Sequence, residues 1–107
     1  MGYVYLLNDS GQENLYKIGV TRGKIEKRIK QLQTGNSNDI VLIKSFETKH
    51  PFYMERVLHS KYRINQIKNE WFFLSNKDVD NFIDSCLLIE KNIKAMKDNP
   101  FINKILK

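Results

Sequence analysis

With 107 residues, 41% of them hydrophobic, and a net charge of +6, the chain is long enough to build one domain around its own core and too short for several. A single cysteine, Cys86, excludes an internal disulfide and points to a reducing compartment, and no apolar stretch approaches the roughly 20 residues of a membrane span. Its N-terminus shows neither a basic leader nor a long apolar segment, so the sequence reads as cytoplasmic and not secreted.

The charge is unevenly placed. Residues 17–30 carry Lys17, Arg22, Lys24, Lys27, Arg28 and Lys30 against Glu26, a net +5, and residues 91–107 carry five lysines against Asp98, a net +4, which leaves −3 for the rest. Clustered Lys and Arg displace the counterions condensed on phosphates, so an anionic polymer is a candidate partner; a merely solvated basic helix face is the competing reading.

Two alternating runs, residues 2–7 and 15–20, flank the turn-forming stretch 8–14 and predict a β-hairpin. Alternation puts Val4 and Leu6 on one face with Tyr16, Ile18 and Val20. Tyr3 and Tyr5 share the other face with Lys17 and Gly19, whose missing side chain lets another group come close. A helix is expected over residues 24–33, with Gly23 as its N-cap and Ile25, Ile29 and Leu32 buried. Arg28 flanks that stripe, near Lys24 and Gln31, with its guanidinium aimed at the hairpin face. Its rigid fork of donors suits a phosphate, whereas an ordinary surface arginine is the alternative.

Residues 40–46, IVLIKSF, read as a strand at the centre of the sheet. A helix then starts at Pro51 and runs to about residue 63, burying Met54, Val57 and Leu58 with Tyr53 at the edge. Glu55, His59 and Tyr62 form a second stripe that the core does not explain. The carboxylate is a hard ligand suited to Mg²⁺ and the imidazole can take a proton or contact phosphate, although an exposed Glu/His pair one turn apart is also common. Residues 65–69 read as a polar connection to a last strand, 70–74, with its large aromatics mostly in the core and with Glu70 either orienting Lys17 or Arg28 or, the favoured reading, capping the strand. One helix is expected from Ser75 to about Met96, burying Val79, Phe82, Ile83, Cys86, Ile89 and Ile93. Beyond Pro100, Phe101, Ile102, Ile105 and Leu106 recur at helical spacing, as in a tail that folds back or meets a second subunit.

Tyr3-Val4-Tyr5, eleven residues, then Lys17-Ile18-Gly19 resembles the paired motif of the GIY-YIG nucleases. Tyr3 stands where that family usually has glycine, and Lys17 where it usually has the second tyrosine. Tyr16-Lys17-Ile18-Gly19, Arg28, Glu55 with His59, and Glu70-Trp71-Phe72 follow in the order of the small phage and viral branch. The resemblance covers residues 2–74.

It implies an α+β fold, a small mostly antiparallel sheet flanked by helices, with a GIY-YIG-like catalytic domain at 1–76 and a helical extension at 77–107 packed on it. The implied activity is metal-dependent endonucleolytic hydrolysis of DNA, with RNA as an open alternative, in the cytoplasm or the nucleoid or host-cell interior of a viral protein. One divalent ion, Mg²⁺ or Mn²⁺, is implied at Glu55, and Arg28 is matched to the family's helix arginine. Tyr5 is expected to orient or deprotonate water, with Lys17 lowering its pKa or contacting phosphate and His59 as the second candidate base. Arg22, Lys24, Lys27 and Lys30 are the expected nucleic-acid contacts, and Tyr3 and Gly19 supporting residues. Asn65 and Asn69 lack the spacing of a metal-assisting asparagine. A monomer, or a weak homodimer through the C-terminal helix or tail, is expected. A non-catalytic nucleic-acid-binding module and a protein-interaction domain are the alternatives from other classes; neither needs Tyr5, Arg28 and Glu55 together.

Overall fold

In the computed structural model, which describes residues 1–97, the two N-terminal runs form strands β1 (Gly2–Asp9) and β2 (Leu15–Thr21), antiparallel, with Leu6 opposite Ile18 and Tyr5 opposite Gly19. The turn between them is held by its own polar side chains: Asn8 Nδ2 donates to the Leu15 carbonyl at 3.0 Å and the Gly11 N–H to Asp9 Oδ1 at 2.9 Å. Asn14 closes it in the left-handed region, φ 64°, which asparagine tolerates.

The chain continues through α1 (Ile25–Gln33), β3 (Ile40–Thr48), α2 (Pro51–Lys61), β4 (Gln66–Lys68), β5 (Trp71–Phe73), α3 (Asn76–Asp80) and α4 (Phe82–Met96). The strands lie in the order β3-β1-β2-β5-β4 with every neighbouring pair antiparallel, an α+β fold with helices against a small sheet. One sheet face carries Val4, Leu6, Ile18, Phe72 and Leu74 into a core with Met54 and Leu58 of α2 and Phe82, Cys86, Ile89 and Ile93 of α4. On the other face Tyr5, Leu7 and Ile40 form a smaller core under Ile29 and Leu32 of α1. Residues beyond 76 thus share the main core with the hairpin. Burial pushes the Cys86 thiol up to about 12, as befits a packed and unreactive side chain.

Several sequence expectations change. β3 is an edge strand, not the centre of the sheet, and its Val41, Leu42 and Ile43 are 45%, 41% and 37% exposed. The strand covered on both faces is β1, because α1 packs on one side of it and α2 on the other; an apolar run does not reveal how many partners will flank it. The register of β3 shifts between Leu6, opposite Lys44, and Leu7, opposite Leu42, leaving Ile43 as a bulge that interrupts the ladder.

The N-cap of α1 is Lys24, not Gly23, whose N–H is taken by the Thr21 hydroxyl at 3.1 Å. α2 stops at Lys61 instead of near residue 63. Tyr62 therefore turns into the core, 4% exposed, and leaves the Glu55/His59 stripe. The supposed connection at 65–69 contains β4, which pairs with β5 around Asn69 in the left-handed region, φ 54°. Phe73 is exposed and Trp71 half-buried, so only Phe72 and Leu74 of that strand enter the core. The long helix is broken at Asn81. A capping box starts its first piece: the Asp78 N–H donates to Ser75 Oγ at 3.2 Å and the Ser75 N–H to Asp78 Oδ2 at 3.1 Å. The expected apolar tail, residues 98–107, lies outside the described residues. Among the described residues no helix is long and apolar enough to cross a membrane.

The edge assignment of β3 separates two substitutions. Leu6→Ala should cost about 2 to 5 kcal/mol by opening a cavity in the main core, whereas Val41→Thr should stay within about 0.5 kcal/mol. Urea unfolding of the two variants checks this; equal large losses would return β3 to the interior.

Candidate active site

The hairpin places Tyr5 directly opposite Gly19, and the phenol lies across that glycine. A Cβ at position 19 would stand 2.6 Å from the Tyr5 hydroxyl and 2.7 Å from its Cζ, closer than atoms can sit, so only glycine lets the ring take this position. α1 crosses the same face and delivers Arg28, whose Nε donates to the Tyr5 hydroxyl at 3.4 Å while a terminal nitrogen reaches Gln31 Oε1 at 3.5 Å. Arg28 is thereby held over the hairpin face. Burial raises the Tyr5 pKa above its ordinary value; Arg28 lowers it through its bond and charge, and Glu70 and Glu55 raise it again. The net direction is upward, so Tyr5 is a neutral phenol at physiological pH.

Lys17, on the same face, has partners of its own. Its Nζ pairs with Glu70 Oε2 at 2.7 Å and lies 5.5 Å from the ring centroid of Trp71, its cross-strand neighbour. The cation bonded to Tyr5 is Arg28. Glu70 anchors Lys17, the role set beside strand capping in the sequence. The sequence could not decide between the two because the pairing of β5 with β2 depends on a β4–β5 hairpin whose first strand is only three exposed residues long.

Just before β5 begins, the Glu70 carbonyl accepts the Ile18 N–H at 3.1 Å. Past that point α2 presents Glu55 and His59 to the edge of β2. His59 Nε2 lies 2.9 Å from the Ile18 carbonyl, which can only accept, so this nitrogen carries the proton and only Nδ1 is left to act as a base. The ring also stacks edge-on against Phe72, at 4.9 Å. Glu55 Oε2 is 3.9 Å from His59 Nε2, buried, and without a hydrogen-bond partner among the described residues. Burial pushes the Glu55 carboxyl up to about 7, and the neighbouring Glu70 carboxylate adds to this while Lys17 opposes it. Two carboxylates, a lysine, a histidine and the Tyr5–Arg28 pair thus meet around Ile18-Gly19.

The expected nucleic-acid contacts divide. Lys24, Lys27 and Arg28 line one cleft of about 210 Å³ with Thr21, Gly23 and Gln31, a positive groove beside the phenol. Arg22 packs over Phe52, 5.1 Å from the ring centroid, and with Lys24 lines a neighbouring cleft of about 460 Å³ that also holds Tyr3, Glu26 and Glu47. Tyr3 faces Glu47, whose charge raises the phenol's pKa, so it stands apart from Tyr5. Lys30 is exposed in the last turn of α1.

The sequence model of the T5orf172 domain, a family associated with phage nucleases, matches residues 2–87, from the start of β1 into α4. No curated protein matches the chain, and no solved structure does.

Glu55 also makes stability depend on pH. Its folded pKa, about 7, lies above the ordinary 4.5, so its contribution is fully present below pH 4.5 and is lost as pH rises through 7, where the buried carboxyl must ionise. Glu55→Gln keeps the shape without that cost. Its melting temperature should exceed that of the wild type at pH 8, with the gap closing toward pH 5; a gap independent of pH would mean that Glu55 is not held protonated.

Proposed function

The chain belongs to the T5orf172 domain family, and from that membership and the site geometry we propose that it is a metal-dependent endonuclease of the GIY-YIG type that hydrolyses phosphodiester bonds of DNA. The observation that carries the reading is the convergence of three things at Gly19: a phenol pinned by an arginine, a half-buried carboxylate whose buried oxygen has no partner among the described residues, and a groove lined by Lys24, Lys27 and Arg28. A protein-interaction domain has no need of a carboxylate kept at such cost beside a cationic groove.

Glu55 fits a hard divalent cation, Mg²⁺ or Mn²⁺. Such ions are held by one or two carboxylates, water and substrate phosphates, and the buried Oε2 offers one free hard oxygen. Among the described residues no group of three or more His, Cys, Asp or Glu gathers for a metal, so the protein's share in this proposal is Glu55 with its neighbour Glu70. When bound, the ion supplies Lewis-acid stabilisation of negative charge at the phosphate.

The remaining roles follow from the chain's own chemistry. Arg28 presents fixed donors to the scissile phosphate and stabilises the charge that grows on it in the transition state. Tyr5, neutral and accepting from Arg28 Nε, keeps one O–H to donate, so it holds Arg28 in place and orients an oxygen of the phosphate or of the attacking water. His59 Nε2 is committed to the Ile18 carbonyl, which leaves Nδ1 for proton transfer. Lys17 neutralises Glu70 and so limits the repulsion that a second carboxylate would exert on an incoming phosphate.

Incubation with duplex, single-stranded and branched DNA in Mg²⁺, Mn²⁺ or EDTA tests the proposal. Cleavage should require the ion and should vanish in Glu55→Ala with folding retained. Arg28→Lys should restore little of the activity lost in Arg28→Ala, because an ammonium cannot reproduce the fork. Tight binding without cleavage in any ion would make the chain a non-catalytic nucleic-acid-binding module.

A further inference from the structure

α1 covers only half of its sheet face. Over β1 the helix buries Tyr5 and Leu7, but over β2 and β5 the same face carries Lys17, Trp71 and Phe73. Trp71 and Phe73 are two positions apart on β5, so both rings point the same way, about 7 Å apart along the strand. Phe73 is 52% exposed and Trp71 half-buried, whereas Phe72 and Leu74 between and beyond them are fully buried on the opposite face. Core packing accounts for Phe72 and Leu74 and leaves the two outward aromatics without a structural purpose.

Charge is distributed to match. Lys17 is neutralised by Glu70 and lies against the Trp71 indole, which fixes the ring's orientation. Next to it runs a cleft of about 310 Å³ lined by Lys17, Trp71, Leu32 and Ile40 with the amides of Gln31 and Asn36. Gln31 also lines the positive groove of Lys24, Lys27 and Arg28, so the two clefts meet along one side of α1. A cationic track that adjoins a near-neutral aromatic surface with amide groups matches a nucleic-acid strand, phosphates on the first and bases on the second.

We propose that Trp71 and Phe73 form a stacking platform for unpaired bases, and that the substrate class is therefore nucleic acid with a single-stranded segment next to the cleaved bond. Bases inside a duplex have no free face to offer these rings. The proposal rests on the nuclease reading for the position of the cleaved bond.

Trp71 is the sole tryptophan of the chain, so its fluorescence reports on this surface alone. The test uses full-length Glu55→Gln in EDTA, with a short oligothymidylate strand and a blunt duplex as probes, following tryptophan emission and fluorescence anisotropy of labelled probe together. The single strand should quench Trp71 at the concentration where anisotropy rises and bind more tightly than the duplex. Adding Phe73→Ser should weaken single-strand binding about fivefold or more while leaving duplex binding unchanged; Phe73 is exposed, so folding should survive. Adding Trp71→Phe instead should retain most of the single-strand affinity.

Binding of the strand with unchanged Trp71 emission and no effect of Phe73→Ser would overturn the platform and leave the endonuclease proposal standing. Failure to bind any nucleic acid would overturn both. Concentration-dependent self-association abolished by Phe73→Ser would assign the surface to a second copy of the chain and overturn the platform as well.

Discussion

The site depends on one steric constraint: an aromatic ring lying across a residue with no side chain. Tyr5 occupies the position over Gly19 that a Cβ would fill, and this draws the hydroxyl to where Arg28 can donate to it. Everything on the hairpin face is then set by strand geometry. Direct antiparallel pairing fixes Tyr5 against Gly19, Lys17 against Trp71 and Leu6 against Ile18, so one register positions the phenol, the lysine and the core together. A one-residue slip would exchange the two faces and destroy both core and site, which makes the hydrophobic packing of Val4, Leu6 and Ile18 the guarantor of the functional geometry.

Around that constraint the protein accepts local electrostatic cost. Glu55 is half-buried beside a second carboxylate, with its buried Oε2 unpartnered among the described residues, an arrangement that destabilises its ionised form and that Lys17 relieves only in part. Such a group raises no stability and has a natural explanation as a ligand or reacting group waiting for a positive partner. The proposed cation would supply that partner, and Lys17 keeps Glu70 from adding a second full negative charge.

Much of this was legible in the sequence, for identifiable reasons. Period-two alternation over residues 2–7 and 15–20 is strong and flanked by turn formers, so it gives the hairpin, its two faces and the company of Tyr5, Lys17 and Gly19. Period 3.6 in α1 gives the flank position of Arg28. What stayed hidden depends on partners distant in the chain. The run 40–46 is apolar enough for a central strand, yet among the described residues it has no second neighbouring strand, and β3 becomes an edge. β4 is three exposed residues, too short for any periodic signal, and without it neither the Lys17–Trp71 register nor the Glu70–Lys17 pair can be placed. Tyr62 fits the Glu55 stripe only while the helix continues, and the helix ends one residue before it. The match of Arg28 to the Tyr5 hydroxyl required both elements to be positioned, and only the packing of Ile29 and Leu32 on Tyr5 and Leu7 supplies that.

The most direct measurement of the central claim is DNA cleavage by Gly19→Ala. The new methyl would meet the Tyr5 ring and displace it from Arg28, while the hairpin and main core have no reason to fail, as circular dichroism can verify. If the phenol resting on Gly19 organises an active site, turnover should fall on the order of 100-fold with DNA affinity nearly unchanged. A folded Gly19→Ala protein that cuts at the wild-type rate would contradict the account.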